Sequence, residues 1–105
     1  MILHRLEIEH KVIDSDGTVL ITRGNRYGDC HYIQTLTRKH HRPYLHIDLK
    51  ELSNTEAALK IVQWIVEKGI NIVNIDGPVI SEDPKLYETI MVFTEWFVEG
   101  REAMN

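Results

Sequence analysis

The sequence predicts a small three-layer α/β/α domain built on a short, mainly parallel β-sheet, and three observations predict it. Short runs of β-branched and aliphatic residues stand at 18–22, 44–49 and 70–75, each of strand length. Helical patterns of 12 to 17 residues lie between and after these runs, which calls for right-handed crossovers and parallel pairing. The runs are nearly all apolar, as strands buried on both faces of a parallel sheet must be.

Leu6, Ile8, His10 and Val12 alternate with Glu7, Glu9 and Lys11, which predicts an edge strand over 2–13. Asp16-Gly17 then closes a hairpin onto the run at 18–22, which ends at Arg23-Gly24. A helix follows from about Asp29 to His41, with Ile33, Leu36 and Thr37 inward. The second strand is opened by Pro43 and reaches Leu49. Ser53-Asn54-Thr55-Glu56 reads as a capping box: a hydroxyl accepts a free helix N–H while the glutamate reaches back. Ala58, Ile61, Val62 and Ile65 form the stripe of that helix, and Gly69 ends it. The third strand stops at Asp76-Gly77-Pro78. Ser81-Glu82-Asp83-Pro84 starts a last helix, whose stripe is Leu86, Ile90, Phe93 and Phe97 with Trp96 beside it. The organisation expected is one domain over 1–105. Residues 1–17 are its edge strand and turn, 18–100 a βαβαβα core, and 101–105 a tail.

Composition bounds the function. Apolar residues make up 43% and charged residues 27% of the 105, an ordinary globular balance. No run approaches the ~20 apolar residues of a membrane span. The single cysteine, Cys30, excludes an internal disulfide and fits a reducing compartment, so a cytoplasmic protein is expected. The net charge is −4, yet residues 22–42 hold Arg23, Arg26, Arg38, Lys39 and Arg42 against Asp29 alone. A local basic segment in an acidic chain suits a small anionic ligand better than a nucleic-acid polymer; a solvated helix face is the plainer reading.

From Asp14 onward the chain resembles the putative molybdenum carrier family, a Rossmann-like group related to the "lonely guy" nucleotide-binding, lysine-decarboxylase-like proteins. Asp14-Ser15-Asp16-Gly17-Thr18-Val19-Leu20-Ile21-Thr22-Arg23-Gly24, Arg42-Pro43-Tyr44-Leu45-His46-Ile47-Asp48-Leu49 and Gly69-Ile70-Asn71-Ile72-Val73-Asn74-Ile75-Asp76-Gly77-Pro78 carry the likeness, with Ser81-Glu82-Asp83-Pro84-Lys85-Leu86-Tyr87-Glu88 continuing it. The resemblance implies a Rossmann-like fold and a nucleotide-like ligand. Two departures stand against an inherited nucleotide-processing activity. The family's opening strand with its Gly-Gly-Gln-Thr-Gly turn has no counterpart, and its Thr-Gly-Gly-Thr turn falls on Tyr27-Gly28-Asp29-Cys30.

In a parallel sheet, ligands bind at the carboxyl ends of the strands, where loops and helix N-termini converge. That edge should hold Thr22, Arg23, Gly24, Arg26, Gly28 and Asp29 from the first connection. It should hold Asp48 from the second strand, and Asn74, Asp76, Gly77 and Ser81 from the third strand and its loop. Glycines let backbone N–H groups approach an anion, although lone glycines also simply turn chains. Asp48 and Asp76 could act as an acid/base pair or hold a metal with Asn74; strand-end aspartates more often cap neighbouring helices, and that is the reading favoured.

Six histidines raise the question of a transition metal. Cys30 and His31 open a helix that His40 and His41 close, roughly 15 Å away at ~1.5 Å per residue, so no metal site is assigned to them. Cys30 reads as a buried or capping thiol, and Trp64 and Trp96 as core or interface residues. Neither a Gly-x-Ser-x-Gly elbow nor a Walker A sequence occurs.

The expectation is a binding protein for a small anionic or nucleotide-like ligand, with no cofactor identified. A nucleotide or phosphoribosyl hydrolase of the "lonely guy" type and a ligand-free interaction subunit are the alternatives. A homodimer is expected, because so small a sheet leaves edges uncovered and the last helix is apolar around much of its circumference.

Overall fold

The run Thr18–Thr22 becomes the middle of the sheet. In the computed structural model, which describes residues 2–24 and 28–77 and residues 84, 85, 88, 89, 91, 92 and 95 beyond them, β1 (Gly17–Thr22) is buried along its whole length. It pairs in parallel with β2 (Tyr44–Asp48) on one side and β3 (Val73–Asp76) on the other, giving the order β2-β1-β3. Thr18 stands opposite Tyr44 and Asn74, Leu20 opposite His46 and Asp76, and Thr22 opposite Asp48.

Alternation along β1 sorts the helices into two layers. Val19 and Ile21 face α3 (Asn54–Lys68) and pack with Ile47, Ala57, Ala58, Ile61, Trp64, Ile65 and Ile70. Leu20 points the other way, against Ile8 and Val12 of α1 (Ile2–Asp14) and Cys30, Ile33 and Leu36 of α2 (Gly28–Lys39). The result is the three-layer α/β/α arrangement expected. Trp64 and Cys30 are core residues, as read from the sequence. Among the described residues no helix is long and apolar enough to cross a membrane.

Two N-terminal expectations are overturned. Residues 2–14 form a helix rather than an edge strand, and Asp16-Gly17 closes no hairpin, since β1 pairs only in parallel with β2 and β3. The physical reason lies in the pattern itself. Positions 8 and 12 share a face at a period of two and equally at four residues of helix. What distinguishes the two is Leu6 and His10, which a strand would bury beside them and which here are exposed, Leu6 at 47%. Asp16 serves a different purpose from the predicted turn. Its amide donates to the Ile72 carbonyl (2.7 Å), and its carboxylate accepts from the amides of Asn71 (2.9 Å) and Ile72 (2.8 Å). Those bonds, from Ile72 first and Asn71 second, hold the Asp16 carboxyl below the usual range, with Arg42 assisting against partial desolvation.

That clamp also explains why β3 starts at Val73 rather than Ile70. Gly69, in the left-handed region at φ 64°, donates to the Val66 carbonyl (3.3 Å), while Ile70 donates to that of Ile65 (3.0 Å). This is a Schellman ending of α3, with Ile70 buried as its hydrophobic contact. The capping box at the other end is present as read: the Ser53 hydroxyl accepts from the Glu56 amide and the Glu56 carboxylate from the Ser53 amide, both at 3.2 Å. Residues 84, 85, 88, 89, 91, 92 and 95 are helical, within the predicted last helix. Its start at Ser81, its apolar stripe and Trp96 lie outside the described residues.

Candidate functional site

The carboxyl ends of β1, β2 and β3 form one edge of the sheet. Their last even-numbered residues, Thr22, Asp48 and Asp76, are all polar. On the face shared with α2, Leu20 is followed by Thr22, Tyr44 by His46 and Asp48, and Asn74 by Asp76. A fully buried Thr22 requires a partner for its hydroxyl, and Oγ1 lies 2.7 Å from Nε2 of His46 on the neighbouring strand.

Past β1 the chain turns at Gly24, whose φ of 85° is a left-handed conformation that side chains resist. Asp48 holds this turn. Its Oδ1 accepts from the Gly24 amide at 2.8 Å and from the Lys50 amide at 3.0 Å, tying the exit of β1 to the exit of β2. These two bonds, the one from Lys50 the larger, keep the Asp48 carboxyl below the usual aspartate range, and the nearby charges of His46 and Lys50 act in the same direction. Asp48 thus caps no helix, contrary to expectation: the turns leaving β1 and β2 both present their amides to it, while Ser53 caps α3.

At the end of β3, Asp76 Oδ1 accepts from the Gly77 amide at 2.8 Å. Gly77 has a φ of 127°, and a Cβ built on it would fall onto the backbone carbonyl of Ile21. Only glycine lets the chain leave β3 this close to β1. Asp48 and Asp76 stand on opposite sides of β1, two residues out of step, so their Cα atoms are roughly 12 Å apart at ~4.8 Å per strand and ~3.3 Å per residue. That separation does not suit a shared metal ion. Among the described residues no three metal-ligating side chains come together.

The other predicted residues fall as follows. Arg23 is exposed at the end of β1. Gly28 and Asp29 are the first two residues of α2. Asn74 sits below the edge rather than on it, half-buried, with its Nδ2 3.4 Å from Thr18 Oγ1 near the amino end of β1. Arg26 and Ser81 lie outside the described residues.

Beside β2 the edge opens into a cleft of about 390 Å³ lined by Gly24, His46, Asp48, Glu51, Leu52 and Lys60. Four of these, His46, Glu51, Leu52 and Lys60, were not singled out from the sequence. His46 was within reach, because strand parity places it on the same face as Asp48 and Thr22. Lys60 was not, since its position depends on how α3 lies against the sheet.

A parallel three-layer α/β domain with its polar residues gathered at the carboxyl edge has the layout of the Rossmann-like ligand-binding folds. The sequence model of the circularly permutated YpsA SLOG family, cpYpsA, matches residues 4–98, and the chain belongs to that family. A solved structure titled "putative molybdenum carrier protein", from Syntrophus aciditrophicus SB, is similar at 35% sequence identity and a TM-score of 0.70 over 84% of this chain. The resemblance read from the residues is thereby borne out. The chain spans 56% of the length of that neighbour. No curated protein matches it.

Proposed function

We propose that this protein binds a small anionic or nucleotide-like ligand at the carboxyl edge of its sheet, between the ends of β1 and β3. The observation that carries this is the strand order. From β1 the chain crosses through α2 to β2 on one side, whereas β3, reached through α3 on the opposite face, lies on the other side. Adjacent strands whose connections belong to opposite faces leave a crevice at their carboxyl ends, the general ligand position in open α/β sheets. In this reading Arg23-Gly24 and Asp76-Gly77 border the crevice; α2 begins at Gly28, four residues beyond Gly24. A helix start favours an anion, and arginine's planar fork suits phosphate or a tetrahedral oxyanion. The molybdenum-carrier title of the neighbour supports including molybdate among the ligands tested.

The test is a thermal-shift screen of orthophosphate, molybdate and adenosine monophosphate, followed by calorimetry on variants. A charge-assisted hydrogen bond contributes about 1.5–3 kcal/mol, so Arg23→Ala should weaken binding roughly ten- to a hundredfold. Arg38→Ala, in the last turn of α2, should change it little. Equal losses at the two positions would indicate diffuse charge and refute the crevice. We further propose a cytoplasmic homodimer. Val73 and Ile75 of β3 are only half-buried and Ile72 is 60% exposed, an edge of the kind proteins cover. Sedimentation showing a monomer at high micromolar concentration would contradict the dimer.

A further inference from the structure

The cleft beside β2 has a different character from the β1–β3 crevice. Its lining carries Asp48, Glu51 and Lys60, two acids and one base, with His46 within it and Leu52 as its apolar wall. Asp48 Oδ1 accepts from two backbone amides, and the Lys50 side chain lies against Gly24 at the rim, so the cleft presents both signs of charge. Glu51 and Lys60 are both exposed and face the same space, yet among the described residues they form no ion pair with each other. Opposite charges lining one cleft without closing on each other are matched by a molecule that carries both signs. The volume, about 390 Å³, falls at the small end of ligand pockets, which run from roughly 300 to 1,000 Å³.

We propose that this cleft is a second binding site, for a small zwitterion of the α-amino acid class. The ammonium group lies toward Glu51 and Asp48, the carboxylate toward Lys60, and an aliphatic side chain against Leu52. The site uses neither Arg23 nor Asp76-Gly77 and takes a ligand of different charge, so it stands or falls apart from the anion crevice.

The experiment is a titration of the ¹⁵N-labelled protein, followed by amide shifts, with L-leucine, isocaproate (the acid alone), isoamylamine (the amine alone) and orthophosphate. Each is taken to about 10 mM, where a site of ~1 mM dissociation constant is nine-tenths filled. Saturable shifts at His46 and over 48–52 with L-leucine, at least about tenfold weaker with either single-charge analogue, are the expected result. Glu51→Gln and Lys60→Met should each weaken L-leucine binding about tenfold, as loss of one charged hydrogen bond does. Arg23→Ala should leave it unchanged. Equal binding of isocaproate or isoamylamine, unchanged affinity in both variants, or no saturable response to L-leucine would overturn the proposal. Orthophosphate shifts at Gly28 and Gly77 without shifts at His46 or over 48–52 would then still leave the anion crevice standing.

Discussion

Truncating the inward face of α1 tests whether residues 2–14 dock as a helix. Ile8 and Val12 are 5% and 0% exposed and pack on Leu20, Cys30, Ile33 and Leu36, whereas Leu6 is 47% exposed. Val12→Ala removes two buried carbons, about 1.6 kcal/mol of transfer free energy at ~0.8 per carbon, with a further cavity term. Alanine's higher helix propensity returns up to about 0.5 kcal/mol. Burial wins, and the net loss should be about 1–2.5 kcal/mol. Ile8→Ala removes three carbons and should lose about 2–3 kcal/mol on the same reasoning. Leu6→Ala and His10→Ala should stay within about 0.5 kcal/mol. Urea unfolding followed by circular dichroism reads these as shifts of the midpoint at constant slope. In a strand, positions 6, 8, 10 and 12 share one face. Comparable losses at Leu6 and Ile8 would therefore refute the docked helix.

Two further outcomes are expected. Gly77→Ala should destabilise by about 2 kcal/mol or more, because it combines a positive-φ strain of order 1–3 kcal/mol with collision against the Ile21 carbonyl. Gly69→Ala, also at positive φ but with open space around it, should lose only about 1 kcal/mol. Similar losses at both, in the same urea assay, would mean that β3 does not leave the sheet against β1. Acid should also destabilise the protein. Asp16 and Asp48 have folded pKa values below their unfolded ones, so the unfolded chain takes up protons first as pH falls. Their contribution is whole above about pH 5 and is lost as pH drops below about 4 and through the folded values. Asp16→Asn should flatten that loss in a stability-versus-pH series, and an unchanged slope would show that the clamp on Asn71 and Ile72 does not form.

Much of the fold was legible because local and tertiary signals agreed. The Ser53 capping box and the Gly69 ending bracket α3 in the sequence as they do in the structure, and the TVLIT run is a strand by composition and by burial. The N-terminal segment was not legible, since Ile8 and Val12 satisfy both periodicities and nothing local favours one. The start of β3 was displaced for a long-range reason: Ile70 completes the α3 cap and Asp16, more than fifty residues away, takes the next two amides. At the site, the strand ends and glycines were readable from sequence position. Asn74 was misplaced by one strand repeat, because an edge reading without register cannot tell that β3 ends beside Leu20 rather than Thr22.

We propose above that a small anion binds in the crevice between β1 and β3. An amide-resolved titration with orthophosphate, molybdate and adenosine monophosphate addresses it most directly. The account predicts saturable shifts concentrated at Gly24, Gly28 and Gly77 for at least one of the three, abolished or weakened at least tenfold by Arg23→Ala and not by Arg38→Ala. Shifts centred on Arg38 and Lys39, or no saturable response at the three glycines with any of the anions, would contradict it.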